Sequence, residues 1–99
     1  MSFRVRISGA AQDDLERLLD FLAAADVPSA RRARAAIERA YAFLSESPFA
    51  CRKADDVNPF LRELIIPFGG AGYVALFEID DATTVTVLAV RHQREDDYH

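Results

Sequence analysis

One cysteine, Cys51, stands in 99 residues. A disulfide framework and a zinc site built on paired cysteines are therefore excluded, and a reducing cytoplasm is the expected compartment. Lysine is equally scarce, with Lys53 alone. No apolar run approaches the roughly 20 residues that a membrane-spanning helix needs. Arg4 and Arg6 break the apolar character of the N-terminal segment, which excludes a secretory signal. Two histidines, His92 and His99, lie far from Cys51 and make no ligand set, so neither a metal nor another cofactor is expected. Basic charge is short where it would be needed. Residues 1–50 carry seven Arg or Lys against seven Asp or Glu, and residues 51–99 carry five against nine, so the net charge of -4 sits in the second half. A chain that grips phosphate backbones concentrates cations where it grips, and this half does the opposite.

What is present is patterned apolar sequence, enough for one domain spanning 1–99. FRVRI at 3–7 alternates apolar and Arg, the period of a half-buried strand, with Phe3, Val5 and Ile7 toward the core. Ser8 stands where an N-cap belongs, and Asp13, Asp14 and Glu16 fall in the opening turns, where the helix dipole favours carboxylates. Ala11, Leu15, Leu18, Leu19 and Leu22 then form one stripe at helical spacing. Asp26, Val27 and Pro28 break that helix. A second helix follows, with Ala33, Ile37, Ala40, Tyr41 and Leu44 as its buried stripe, ended by Ser47 before Pro48. A connection this short predicts an antiparallel helical hairpin. Phe49 to Asn58 shows no period and reads as a loop. The remainder is a three-stranded meander: LRELIIPF, a GGAG turn, YVALFEID, a turn through Asp81 and Ala82, and TVTVLAVR. The expected fold is α+β, ordered β-α-α-β-β-β, with an antiparallel sheet packed against an N-terminal helical hairpin.

Several local signals have plain structural readings. Gly69, Gly70 and Gly72 lack the following Lys-Ser/Thr pair and helix of a phosphate loop, and read as a hairpin turn. Arg31, Arg32 and Arg34 read as a solvated helix face, with Glu38 as an i to i+4 partner of Arg34. Glu95, Asp96 and Asp97 read as a solvated tail. The constellation with chemical content is Arg62, Arg91, His92, Arg94 and Tyr98, with Lys53 in the preceding loop. Metal-free RNA cleavage needs a base for the 2′-hydroxyl, an acid for the leaving oxygen, and cations for the phosphorane charge. His92 or Tyr98 suits the first two roles, and Arg62, Arg91 and Lys53 suit the third. The structural alternative pairs Arg91 with Glu63 or Glu78 and packs Tyr98 on the sheet. Residue types alone favour that alternative.

The helix opening ISGAAQDDLERLLDFL, the strand pair RELIIPFGGAGYVALFEID and the ending TVTVLAVRHQREDDY together resemble the RelE/ParE superfamily of type II toxin-antitoxin toxins. The resemblance covers nearly the whole chain, and VLAVRHQRE is its most specific part. It implies the β-α-α-β-β-β fold, a bacterial cytoplasmic location, and a cognate antitoxin that holds the toxin inactive. It also implies one of two targets. RelE-like members cleave mRNA on the ribosome through basic residues on the sheet and near the C-terminus, and Arg62, Arg91 and Tyr98 fall at matching places. ParE-like members poison DNA gyrase without such a set, and the acidic second half favours this branch. Lys53, Arg62, Arg91, Arg94 and Tyr98 are then expected to contact the target. The antitoxin is expected in the groove between hairpin and sheet, with Arg31, Arg34 and Arg39 meeting its acidic residues. A small non-toxic binding module on the same fold is a third possibility.

Overall fold

The computed structural model describes residues 2–95 and 98. The elements run β1 (Arg4–Ile7), α1 (Gly9–Ala25), α2 (Val27–Glu46), a 3-10 turn (Pro48–Ala50), β2 (Arg52–Lys53), β3 (Leu61–Phe68), β4 (Ala71–Ile79) and β5 (Thr84–His92). The sheet order is β1-β5-β4-β3-β2. β2 to β5 pair antiparallel, whereas β1 adds to β5 in parallel, Val5 opposite Val85 and Ile7 opposite Val87. The expected α+β architecture is therefore present with a mixed sheet. The direction of β1 follows from the hairpin, which returns the chain to the end of the sheet where it began.

Ser8 caps α1 as expected, its hydroxyl accepting the Ala11 N–H at 3.1 Å. Asp26 is the single non-helical residue between the helices. Its N–H closes α1 on the Leu22 carbonyl, and its own carbonyl accepts from Ala30 to open α2. Val27 and Pro28 thus begin the second helix instead of separating the two. Glycine matters most at one position beyond the turn. Gly69 and Gly70 alone form the β3–β4 turn, Gly69 at φ 60°, so Ala71 and Gly72 belong to the strand. Gly72 has φ 148°, and a Cβ there would lie 2.2 Å from the Ile66 carbonyl oxygen.

The core lies between the hairpin and one sheet face. Ala11, Leu15, Leu18 and Leu19 of α1 and Ala33, Ile37 and Leu44 of α2 meet Leu64, Ile66, Tyr73, Ala75, Phe77, Ile79, Val85, Val87 and Val90. Each fully buried large side chain among these contributes about 1.5–3 kcal/mol. Phe3 and Val5 pack against this core, but Ile7 stays about a third exposed and outside it. In β3 and β4 the even and odd positions separate cleanly. Leu64, Ile66, Tyr73, Ala75 and Phe77 face the helices, so Glu63, Ile65, Val74 and Leu76 face the other way. β5 changes phase at a bulge. Leu76 pairs with Ala89 and Phe77 with Val87, which leaves Leu88 as the extra residue.

Two sequence expectations are corrected by this geometry. Asp14 sits in the second turn of α1 and is buried, and its carboxylate accepts the Val90 N–H at 2.9 Å. It serves the bulge, which has broken the ladder there, and not the helix dipole. Ser8 works on the same bulge, its hydroxyl donating to the Leu88 carbonyl at 3.1 Å. The segment expected as a loop from Phe49 to Asn58 contains the 3-10 turn and the two-residue strand β2, because Arg52 and Lys53 pair with Glu63 and Arg62.

Candidate functional site

The expected constellation resolves into three separate places. Arg62 lies on the β3 row that faces the helices, opposite the buried Phe77. Its guanidinium donates to the carbonyls of Pro59 (2.8 Å), Cys51 (2.8 Å) and Phe49 (3.3 Å) and lies 5.5 Å from the centroid of the Phe49 ring. All of those partners belong to the segment between α2 and β3, so Arg62 staples that segment to the sheet. Lys53, opposite Arg62 on the edge strand, is exposed.

Arg91 lies on the opposite face, paired with Val74. Its guanidinium donates to the Glu95 carbonyl at 2.8 Å and lies 5.2 Å from the centroid of the Tyr98 ring. The Tyr98 hydroxyl donates to Glu63, whose other carboxylate oxygen pairs with Arg52 at 3.0 Å. Arg91 therefore meets neither Glu63 nor Glu78 in an ion pair; Tyr98 stands between Arg91 and Glu63 and packs on the sheet, as the structural alternative requires. Partial burial, then the Glu63 hydrogen bond and charge, push the Tyr98 phenol well above the usual tyrosine range. A phenol held in that state is a poor general base.

His92 returns to the helix side, its ring edge-on to Tyr73 at 5.7 Å. Its Nδ1 accepts the Arg94 N–H at 3.1 Å, which places the neutral ring's proton on Nε2 and occupies the nitrogen a base would use. His92 and Arg94 line a cleft of about 780 Å³ between α1 and the β3–β4 turn, walled by Leu18, Phe21, Leu22, Phe68 and Tyr73. Glu95 accepts from Arg17 of α1 at 3.3 Å and from the His92 N–H at 3.2 Å. It is part of this rim and not of a solvated tail. Asp96, Asp97 and His99 lie outside the described residues.

Arg62 and Arg91 face opposite sides of the sheet, and their β4 partners, Phe77 and Val74, are three residues apart, about 10 Å along the strand. The two cations do not converge on one phosphate. On α2, Arg31, Arg34 and Arg39 are exposed and form no ion pair within the described residues. They spread over roughly 140° of the helix surface at 100° per residue. The expected Arg34–Glu38 pair is not formed. Arg32 instead pairs with Asp26 at 3.9 Å. Sequence reading named Glu63 only as a partner for Arg91, missed Glu95 as an acceptor that organises the C-terminal residues, and missed Phe49 and Phe60 as exposed aromatics. For these the signal was an apolar pair in a stretch without period.

A helical hairpin on one face of a five-stranded mixed sheet defines a small α+β domain, the arrangement that the RelE/ParE resemblance implies. The sequence profile of the family described as ParE toxin of type II toxin-antitoxin system, parDE, matches residues 5–97, and the chain belongs to that family. It is also 35% identical over 79 residues to Toxin RelE1 of Caulobacter vibrioides (strain CB 15), a match that spans 80% of this chain and 82% of the relative. A type II toxin has a cognate antitoxin protein as its partner. No helix among the described residues is long and apolar enough to cross a membrane.

Proposed function

We propose that this toxin inhibits growth in the bacterial cytoplasm by poisoning DNA gyrase, with its antitoxin preventing that contact. The observation that carries the reading is the separation of Arg62 from Arg91. Cleavage of RNA without a metal needs cations converging on the phosphorane. Here one arginine is spent on loop carbonyls and the other on the C-terminal segment. The acidic balance of residues 51–99 also disfavours docking on a ribosome. The second reading, ribosome-dependent mRNA cleavage, is favoured by the adjacency of Arg91 and Tyr98 on one face and by the name of the relative, Toxin RelE1.

Induced expression in a bacterial host separates them. The gyrase reading expects growth arrest with an SOS response and gyrase-linked DNA breaks while cellular mRNA stays intact. Rapid mRNA cleavage ahead of any DNA damage would replace it with the nuclease reading, and an absence of any growth defect would leave only a binding module. Antitoxin contact on α2 has its own check. Charge reversal at Arg31 and Arg34 should weaken the complex at least tenfold in a calorimetric titration, and unchanged affinity would move the antitoxin elsewhere.

A further inference from the structure

Val74 and Ala89 are buried, yet neither belongs to the core beneath the hairpin. Val74 faces away from the helices by the alternation of β4, and Ala89 stands opposite the outward-facing Leu76. An antiparallel sheet leaves its second face to water unless something is laid on it, and here the cover comes from beyond β5. Arg91 stands beside Val74 on one flank of β4, and Glu63 stands beside Leu76 on the other. Tyr98 touches both, so its side chain crosses β4 between Val74 and Leu76.

Glu95 is fastened toward the helices. Its carboxylate accepts from the Arg17 guanidinium of α1 at 3.3 Å and from the His92 N–H at 3.2 Å, and both partners line the α1 cleft. β1 pairs β5 only as far as Val87, so the His92 N–H is held by a side chain and not by a strand. Arg91 joins the two fastenings, donating to the Glu95 carbonyl at 2.8 Å with its guanidinium 5.2 Å from the centroid of the Tyr98 ring. A continuous run of contacts thus leads from Arg17 on the cleft rim through Glu95 and Arg91 to Tyr98 and Glu63 on the far sheet face, and Arg52 ends it on β2. Its two ends are arginines open to solvent, with side chains 43% and 56% exposed, so the run can be loosened from either end without disturbing the core.

We propose that the residues after β5 act as a two-sided clasp that couples the α1 cleft to the sheet face away from the helices. With Arg17 on Glu95, the His92 N–H is held, Arg91 is drawn to the Glu95 carbonyl, and Tyr98 closes over Val74. An occupant of the cleft that takes Arg17 into its own ion pair, as an acidic side chain would, loosens Glu95 and with it the seat of Arg91 and Tyr98. The coupling is reciprocal, so loss of the Glu63 contact loosens the cleft rim in turn.

Substitutions at one end, read at the other, test this on the full chain. Arg17→Ala mimics withdrawal of the guanidinium and should weaken the NOEs between the Tyr98 ring and the Val74 methyls at least twofold. Glu63→Ala should quicken hydrogen exchange of the His92 N–H at least threefold, with the Phe77 N–H unchanged. In the double variant His92 exchange should quicken by less than the product of the two single effects, because both act on one clasp. Substitutions felt only on their own face, or single effects that multiply, overturn the coupling. If exchange quickens equally at Phe77, Glu63→Ala has loosened the whole sheet, and Tyr98→Phe, which keeps the ring and removes only the hydroxyl contact, decides instead. Quickened His92 exchange in that variant supports the clasp, and unchanged exchange overturns it.

Discussion

Asp14 is a buried carboxylate on an otherwise apolar helix face, and its value lies in one donor. The bulge at Leu88 takes the Val90 N–H out of the ladder, and Asp14 accepts it. Asp14→Ala leaves that donor buried without a partner, so it should destabilise the fold by about 1–3 kcal/mol in urea unfolding. Asp14→Asn keeps an acceptor oxygen and should lose less. Gly72 sets a sharper limit. With φ at 148° and the Ile66 carbonyl where a Cβ would be, Gly72→Ala combines strain with a backbone clash. Its loss should exceed that of Gly69→Ala, where the space is open and only the cost of a positive φ, roughly 1 kcal/mol, applies. The tyrosines add a pH dependence. Burial first, with nearby carboxylates second, raises the phenols of both Tyr41 and Tyr98 above the usual value. The folded chain therefore holds protons that the unfolded chain releases. The stability this contributes is complete below the ordinary tyrosine pKa of about 10 and is lost as the pH rises beyond it. A titration followed by tyrosinate absorbance should show Tyr98→Phe removing one late-ionising phenol.

At the scale of elements, the regular pieces were legible because their signals are local. The α1 stripe, the Ser8 cap and the β3–β5 meander depend on spacing within a few residues, and each is present. What depends on distant partners was not legible. β2 has only two residues, and it exists because Glu63 and Arg62 stand opposite it. The role of Asp14 comes from a strand 76 residues away. The placement of the candidate site residues was not legible for a related reason. Arg62 shares its alternation with Leu64 and Ile66, but Ile65 and Leu61 are apolar too, so the sequence of β3 does not say which row is buried. The bulge then shifts the phase of β5, and only the paired register assigns Arg62 and Arg91 to opposite faces. Arg62→Ala should release the segment from Phe49 to Pro59. Hydrogen exchange should quicken at the Ala54 N–H, which donates to the Leu61 carbonyl, with little change in α1.

For the whole molecule, family membership makes it a toxin with an antitoxin partner, and exposed charge of the two signs lies on different parts of its surface. Free arginines lie on α2, while the far end of the sheet offers aromatic rings beside carboxylates. If the antitoxin is met through the α2 arginines, charge reversal at Arg31 and Arg34 should weaken that complex and leave growth arrest by the unbound toxin unchanged.

The parallel seam between β1 and β5 bears on how such a protein comes into being. Arg4 and Thr84 are neighbours in space yet 80 positions apart in the chain. During synthesis the first strand waits, with its apolar side bare, until nearly the entire chain has left the ribosome. Closing so long a loop is slow compared with forming the hairpin beneath it. The helical hairpin, built on local contacts, is therefore expected to form ahead of the β1–β5 seam. A chain truncated before β5 lacks the partner of β1, so it should be cut by protease faster than the full chain in a limited-digestion time course.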